Sequence, residues 1–166
     1  MTNMLSNRKF CVALLTGITL MSTACSKEPT GVSANMTVYN HMVTGVASYG
    51  VKLSTGAAID AGFVAPGEGG GAVICCLTLP LVWTPNLTAT VKKNVFDKDR
   101  NTVSTFKTVP VPRYASPPPG RFVVHFLVDG NIKVFATRYL LGHAKYPLRG
   151  QEAELIPGTP IEIIWK

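Results

Sequence analysis

Beyond residue 25 the chain holds no long segment with apolar residues at the spacing of a helix face, whereas apolar and polar residues alternate repeatedly over short runs. That two-residue period is the signature of a strand with one buried face, and it confines the chain to β structure. Met36, Val38, Asn40 and Met42 alternate with Thr37, Tyr39 and His41, and Leu87, Ala89 and Val91 alternate with Thr88, Thr90 and Lys92. The clearest hairpin joins residues 122–128 to residues 132–137 through Asp129-Gly130-Asn131, because Asp-Gly supplies the backbone angles of a tight turn. A second joins residues 87–96 to residues 102–111 across the polar turn at residues 97–101. Ile161, Ile163 and Trp165 alternate with Glu162 and Lys166, which predicts a closing strand at the C-terminus. Pro110, Pro112 and Pro117-Pro118-Pro119 lack amide donors and belong to edges or loops. The expected fold is mainly β: an antiparallel β-sandwich-like domain with irregular loops and little helix, with one helical turn at residues 139–144 within an irregular stretch at residues 138–160.

The first residues have another purpose. Asn7-Arg8-Lys9 precede an apolar run at residues 10–21 that is short for a spanning helix, the pattern of an export signal. Ser22-Thr23-Ala24-Cys25 then resembles the lipobox of bacterial lipoproteins, which implies cleavage before Cys25 and its acylation; Ser22 stands where that pattern usually has Leu, so ordinary cleavage near Ala24 stays open. Acylated Cys25 would anchor the chain to a membrane surface without spanning it. The organisation expected is a lipoprotein signal peptide at 1–24, a polar tether at 25–34 and a single β-rich domain at 35–166. Ser26, in place of the Asp of inner-membrane retention signals, points to the outer membrane, on its periplasmic side. Loss of Arg8 and Lys9 leaves 14 basic against 9 acidic residues, a net charge of +5. The basic residues are scattered, and the run at Lys92, Lys93, Lys98 and Arg100 is interrupted by Asp97 and Asp99, so no nucleic-acid groove is expected.

Candidate chemistry is sparse. In an exported chain with Cys25 acylated, Cys75 and Cys76 alone could pair. Across a trans peptide their Cα atoms would lie about 3.8 Å apart with side chains on opposite strand faces, so two buried thiols are expected, with a vicinal disulfide as the alternative. No metal site is expected, since adjacent cysteines lack zinc-ligand spacing and His41, His125 and His143 form no paired motif. The run Gly67-Glu68-Gly69-Gly70-Gly71 lacks a following Gly-Lys-Ser or Gly-Lys-Thr, so it is read as a flexible turn, or a place of close backbone approach, and not as a phosphate loop. No Gly-x-Ser-x-Gly elbow locates a nucleophile, so no catalytic residue, cofactor or enzymatic activity is expected. The proline-rich loop carries Arg113 and Tyr114 and ends at Arg121, residue types that dominate interface hot spots, and these three are the candidate partner-binding residues.

The order Tyr39-Asn40-His41, Gly69-Gly70-Gly71, Cys75-Cys76, Leu79-Pro80 and Trp83 resembles a family of bacterial lipoproteins carried under a domain-of-unknown-function label. Its members look like immunity proteins for type VI secretion phospholipase effectors. The resemblance implies a periplasmic protein that neutralises a cognate phospholipase toxin by binding it, without turnover. The alternatives are a structural envelope lipoprotein with no toxin partner, or an uncharacterised hydrolase.

Overall fold

Local turn chemistry sets two of the hairpins on which the architecture is built. In the computed structural model, which describes residues 30–70 and 73–155, the strands are β1 (Gly31–Asn40), β2 (Ser48–Leu53), β3 (Ala58–Ala61), β4 (Ile74–Pro80), β5 (Thr88–Phe96), β6 (Thr102–Pro110), β7 (Arg121–Phe126) and β8 (Ile132–Ala136). Between β7 and β8, Gly130 takes a φ of 78° and the Asp129 carboxylate accepts from the Asn131 amide at 2.8 Å, so the turn closes as its sequence dictates. Between β5 and β6 the Asp97 carboxylate accepts from the amides of Asp99 and Asn101, each at 2.8 Å, and Arg100 supplies the positive φ. β2 and β3 form a third hairpin.

The strands form two four-stranded sheets, ordered β4-β1-β7-β8 and β3-β2-β5-β6. One apolar core lies between them: Met36, Val38, Leu77, Leu79, Phe122, Val124 and Phe126 from the first sheet meet Tyr49, Val51, Leu53, Ala89 and Val91 from the second. This is the expected sandwich, with one parallel pair. β1 runs parallel to β7 and antiparallel to β4, while the other ladders are antiparallel. Parallel strands normally need cover on both faces. Here the outer face of β1 and β7 is covered by the irregular segment that follows β8, which builds a second apolar cluster from Tyr39, Val123, Leu127, Leu141, Tyr146 and Leu148. β1 and β7 are therefore not half-buried strands; residues 122–127 are buried without interruption.

Two expectations change. Residues 31–34 are not tether but the start of β1, paired with residues 77–80 of β4, and Ala34 is fully buried because that pairing places it over the core. Residues 139–144 form turns instead of a helical turn, and the short 3-10 helix lies later, at Gly150–Ala153, where it packs Ala153 into the second cluster. Cys25 and the C-terminal strand expected at residues 161–166 lie outside the described residues. Among the described residues no helix is long and apolar enough to cross a membrane.

Candidate functional site

Tyr39-Asn40-His41 and the glycine run form one structural unit. Gly69 bridges to Tyr39 at the end of β1, Gly70 N donates to Val38 O at 3.0 Å, and Asn40 N donates to Glu68 O at 2.8 Å. A Cβ on Gly69 would lie 2.6 Å from the Tyr39 Cα and also run into the Val38 carbonyl, so the expected close backbone approach is what this glycine provides. Asn40, fully buried, donates from its side-chain amide to Thr44 O at 2.9 Å and Ala65 O at 3.0 Å and accepts from Met42 N at 3.1 Å. It ties the loop after β1 to the loop at residues 64–65.

His41 and His125, unrelated in sequence spacing, meet. The β1–β7 register sets Tyr39 beside His125, and His41 follows the strand end, so His41 Nε2 reaches His125 Nδ1 at 2.8 Å. His41 Nδ1 lies 2.7 Å from the Glu154 carbonyl, and His125 Nε2 lies 2.7 Å from the Tyr146 hydroxyl. A carbonyl only accepts, so His41 Nδ1 must donate. In the neutral pair, His41 Nε2 then accepts from His125 Nδ1–H, and His125 Nε2 accepts from the Tyr146 O–H. One backbone oxygen thus fixes both tautomers and the direction of the whole relay.

The rings are held neutral. Burial pushes the His125 imidazole well below its ordinary range, with the neighbouring His41 and Lys133 acting in the same direction. Burial also lowers His41, partly opposed by the Glu154 carbonyl and the Glu152 charge. Tyr39 stacks on His125 with centroids 5.1 Å apart, and burial raises the Tyr146 hydroxyl far above the usual phenol range. All four ring nitrogens are engaged, so neither imidazole has a lone pair left to activate a nucleophile or ligate a metal. His41 floors an open cleft of 450 Å³ bordered by Leu127, Asp129 and Glu152. The relay seams the irregular cover to β1 and β7. His143 stands apart, stacked on Tyr139 at 4.4 Å. Among the described residues no group of three or more His, Cys, Asp or Glu could hold a metal ion.

Cys75 and Cys76 are not buried thiols. Both side chains are exposed, and the two are joined as a vicinal disulfide across a cis peptide. The expectation of opposite faces assumed a trans peptide in a regular strand. Instead the β1–β4 register shifts between Ala34 and Met36, which pair with Leu77 and Ile74, so the two cysteines bulge opposite Asn35. The bulge keeps Ile74, Leu77 and Leu79 all directed at the core.

Of the three residues expected to bind a partner, Arg113 is exposed, Arg121 is half-buried at the start of β7, and Tyr114 is buried. Tyr114 is corrected to a core residue: its ring joins the main cluster and its hydroxyl donates to Pro80 O at 2.8 Å. Trp83 Nε1 donates to Val111 O at 2.8 Å, so this loop and the Pro80–Trp83 exit clamp each other at one end of the sandwich. Neither role is visible without the fold.

One uncovered surface lies on the β5–β6 hairpin; Phe63, Val82 and Val128 are exposed elsewhere. Every β6 residue but Val109 is exposed. Phe96 at 60 % and Phe106 at 67 % exposure stand on the outer face, with Phe106 opposite Lys92 in the register, while Val103 lies exposed on the other face. Lys93 folds back over the Phe126 ring at 5.9 Å, closing the end of the core.

No curated protein and no solved structure matches the chain. A family model described as "Protein of unknown function (DUF3304)" matches residues 39–134, from Tyr39 of the glycine-bound unit through both hairpins to Val134 of β8. With more than half of its length matched, the chain belongs to the DUF3304 family.

Proposed function

We propose that this chain is a lipid-anchored protein on the periplasmic side of the outer membrane that acts by binding another protein, and that its partner is an antibacterial phospholipase of a type VI secretion system, which it neutralises by occlusion. The observation that carries the binding half is the exposure of Phe96 and Phe106 on a rigid ladder, since large exposed aromatics mark interaction surfaces more than scattered aliphatics do. The engaged ring nitrogens of His41 and His125 favour binding over turnover. The anchor rests on Cys25 and the choice of partner on the Tyr-Asn-His, Gly-Gly-Gly and Cys-Cys resemblance.

The test is inhibition of a phospholipase effector where one is encoded beside this gene; an isolated gene favours the structural envelope role instead. The purified protein is expected to abolish phospholipid hydrolysis at one equivalent, and Phe106→Ala to weaken inhibition by about tenfold or more, the equivalent of about 1.4 kcal/mol. Undiminished hydrolysis at excess protein rejects the proposal.

A further inference from the structure

The four sheet edges are protected unequally. β3 is only four residues long, β4 is bulged at its cysteines, and β8 lies beside the cover, where Lys133 pairs with Glu152 at 2.6 Å. β6 has none of these devices: it pairs with β5 over nine consecutive positions without a bulge. Long, unbulged and exposed, such an edge is a template for another strand.

The hydrogen-bond pattern shows what it offers. Val111 N donates to Leu87 O, and Asp97 N to Asn101 O, each at 2.9 Å, at the two ends of a register that pairs Ala89 with Val109 and Val95 with Val103. Hydrogen-bonded pairs alternate in an antiparallel ladder, so residues 103, 105, 107 and 109 exchange bonds with β5. The main-chain N–H and C=O groups of Thr102, Ser104, Phe106 and Thr108 then point outward from the edge, and Pro110, which has no N–H, ends the row. Charge selects the occupant. β5 and β6 carry Lys92, Lys93 and Lys107 and no carboxylate, and no acidic residue occurs between Thr102 and Val128. The two acids of the intervening turn are Asp97, committed to its backbone amides, and Asp99.

We propose that β6 is a docking edge that takes an extended, acidic segment of a partner protein as an added strand, bonded through the outward groups of Thr102, Ser104, Phe106 and Thr108. This rests on the protein-binding reading above and specifies its geometry. The Phe106 ring, on the outer face beside Lys92, would lie against an apolar side chain of the incoming strand, and the alternating acidic side chains would fall on the other face, beside Lys107; Lys93 stays folded over Phe126.

The probe is a synthetic peptide of about ten residues alternating glutamate and valine, with a lysine-valine peptide as its charge-inverted control. Binding to the full chain is followed by fluorescence anisotropy and amide exchange. The acidic peptide is expected to bind and to slow exchange at Ser104 and Phe106, while the basic one does neither. Ser104→Pro removes one outward N–H without breaking a main-chain bond to β5, and should weaken binding at least about tenfold; Ser104→Ala keeps that N–H, loses the same hydroxyl bond to Asn94 Oδ1 as the proline variant, and should stay within about twofold. If Ser104→Pro unfolds the hairpin, the amide protection of the wild-type chain decides alone. Absent acidic-peptide binding, equal binding of both peptides, protection elsewhere, or a dimer of this chain that Ser104→Pro disperses would each overturn the proposal. Lipase inhibition untouched by Ser104→Pro in a folded protein would overturn the docking edge and leave the proposed function standing. Peptide binding without lipase inhibition would do the reverse.

Discussion

Gly69 is where a single missing atom has the largest consequence. Its neighbours at the Cβ position are backbone, the Val38 carbonyl and the Tyr39 Cα, which cannot rotate away as a flexible side chain would. Gly69→Ala should therefore push the loop off the end of β1, break the Gly70-to-Val38 bond and cost about 2–3 kcal/mol, measured as a shift in the urea midpoint with an unchanged slope. Gly70 has the additional constraint of a φ of 78°. The glycine run announced a turn in the sequence. It did not announce its partner, because Tyr39 lies thirty positions upstream and nothing local to residues 67–71 points to it. The cysteine pair shows the same boundary: adjacency was plain, but exposure follows from a bulge that exists only once β4 is laid against β1.

Among the elements, two hairpins were legible, while the β2–β3 hairpin and the long-range pairings were not. β5–β6 and β7–β8 follow from turns whose carboxylates bind amides two to four residues away, so their energetics are contained within a short window of sequence. The β1–β7 pair joins Met36 to Phe122, and no alternation pattern specifies which distant strand lies alongside or in which direction. The proline loop is instructive because composition favoured an interface while packing assigned Tyr114 to the core. Tyr114→Phe keeps the ring and removes the donor to Pro80 O; it should lower stability by about 1 kcal/mol while leaving lipase inhibition unchanged. Thermal denaturation alongside the inhibition assay separates the two roles, and a selective loss of inhibition would restore Tyr114 to the interface.

For the molecule as a whole, the histidine relay ties stability to pH. Both imidazoles titrate below their ordinary value of 6.5 when folded, chiefly through burial, so the unfolded chain takes up protons first as the pH falls. Stability is then fully present above pH 6.5 and declines as the pH drops towards the folded values, at up to about 1.4 kcal/mol per pH unit for each imidazole. Urea midpoints measured between about pH 7.5 and 5.5 should fall towards the acid side, and a flat profile would show that the folded chain accommodates the imidazolium. The two histidines were each visible as isolated residues, and the relay was not, because it needs the cover segment to deliver Tyr146 and the Glu154 carbonyl.

The placement of β1 has a kinetic consequence. A chain emerging from a ribosome or translocon delivers its N-terminal strand first, yet β1 is the second strand of a sheet whose order is β4-β1-β7-β8. Its antiparallel neighbour β4 arrives after some forty further residues, and the partner for its other edge, β7, only after more than eighty. Between those moments one side of an apolar strand waits unpaired, the condition under which nascent chains misassociate. The local β5–β6 hairpin can close early, but the first sheet completes only when nearly all the described chain is out, so one edge of β1 stays open until β7 arrives.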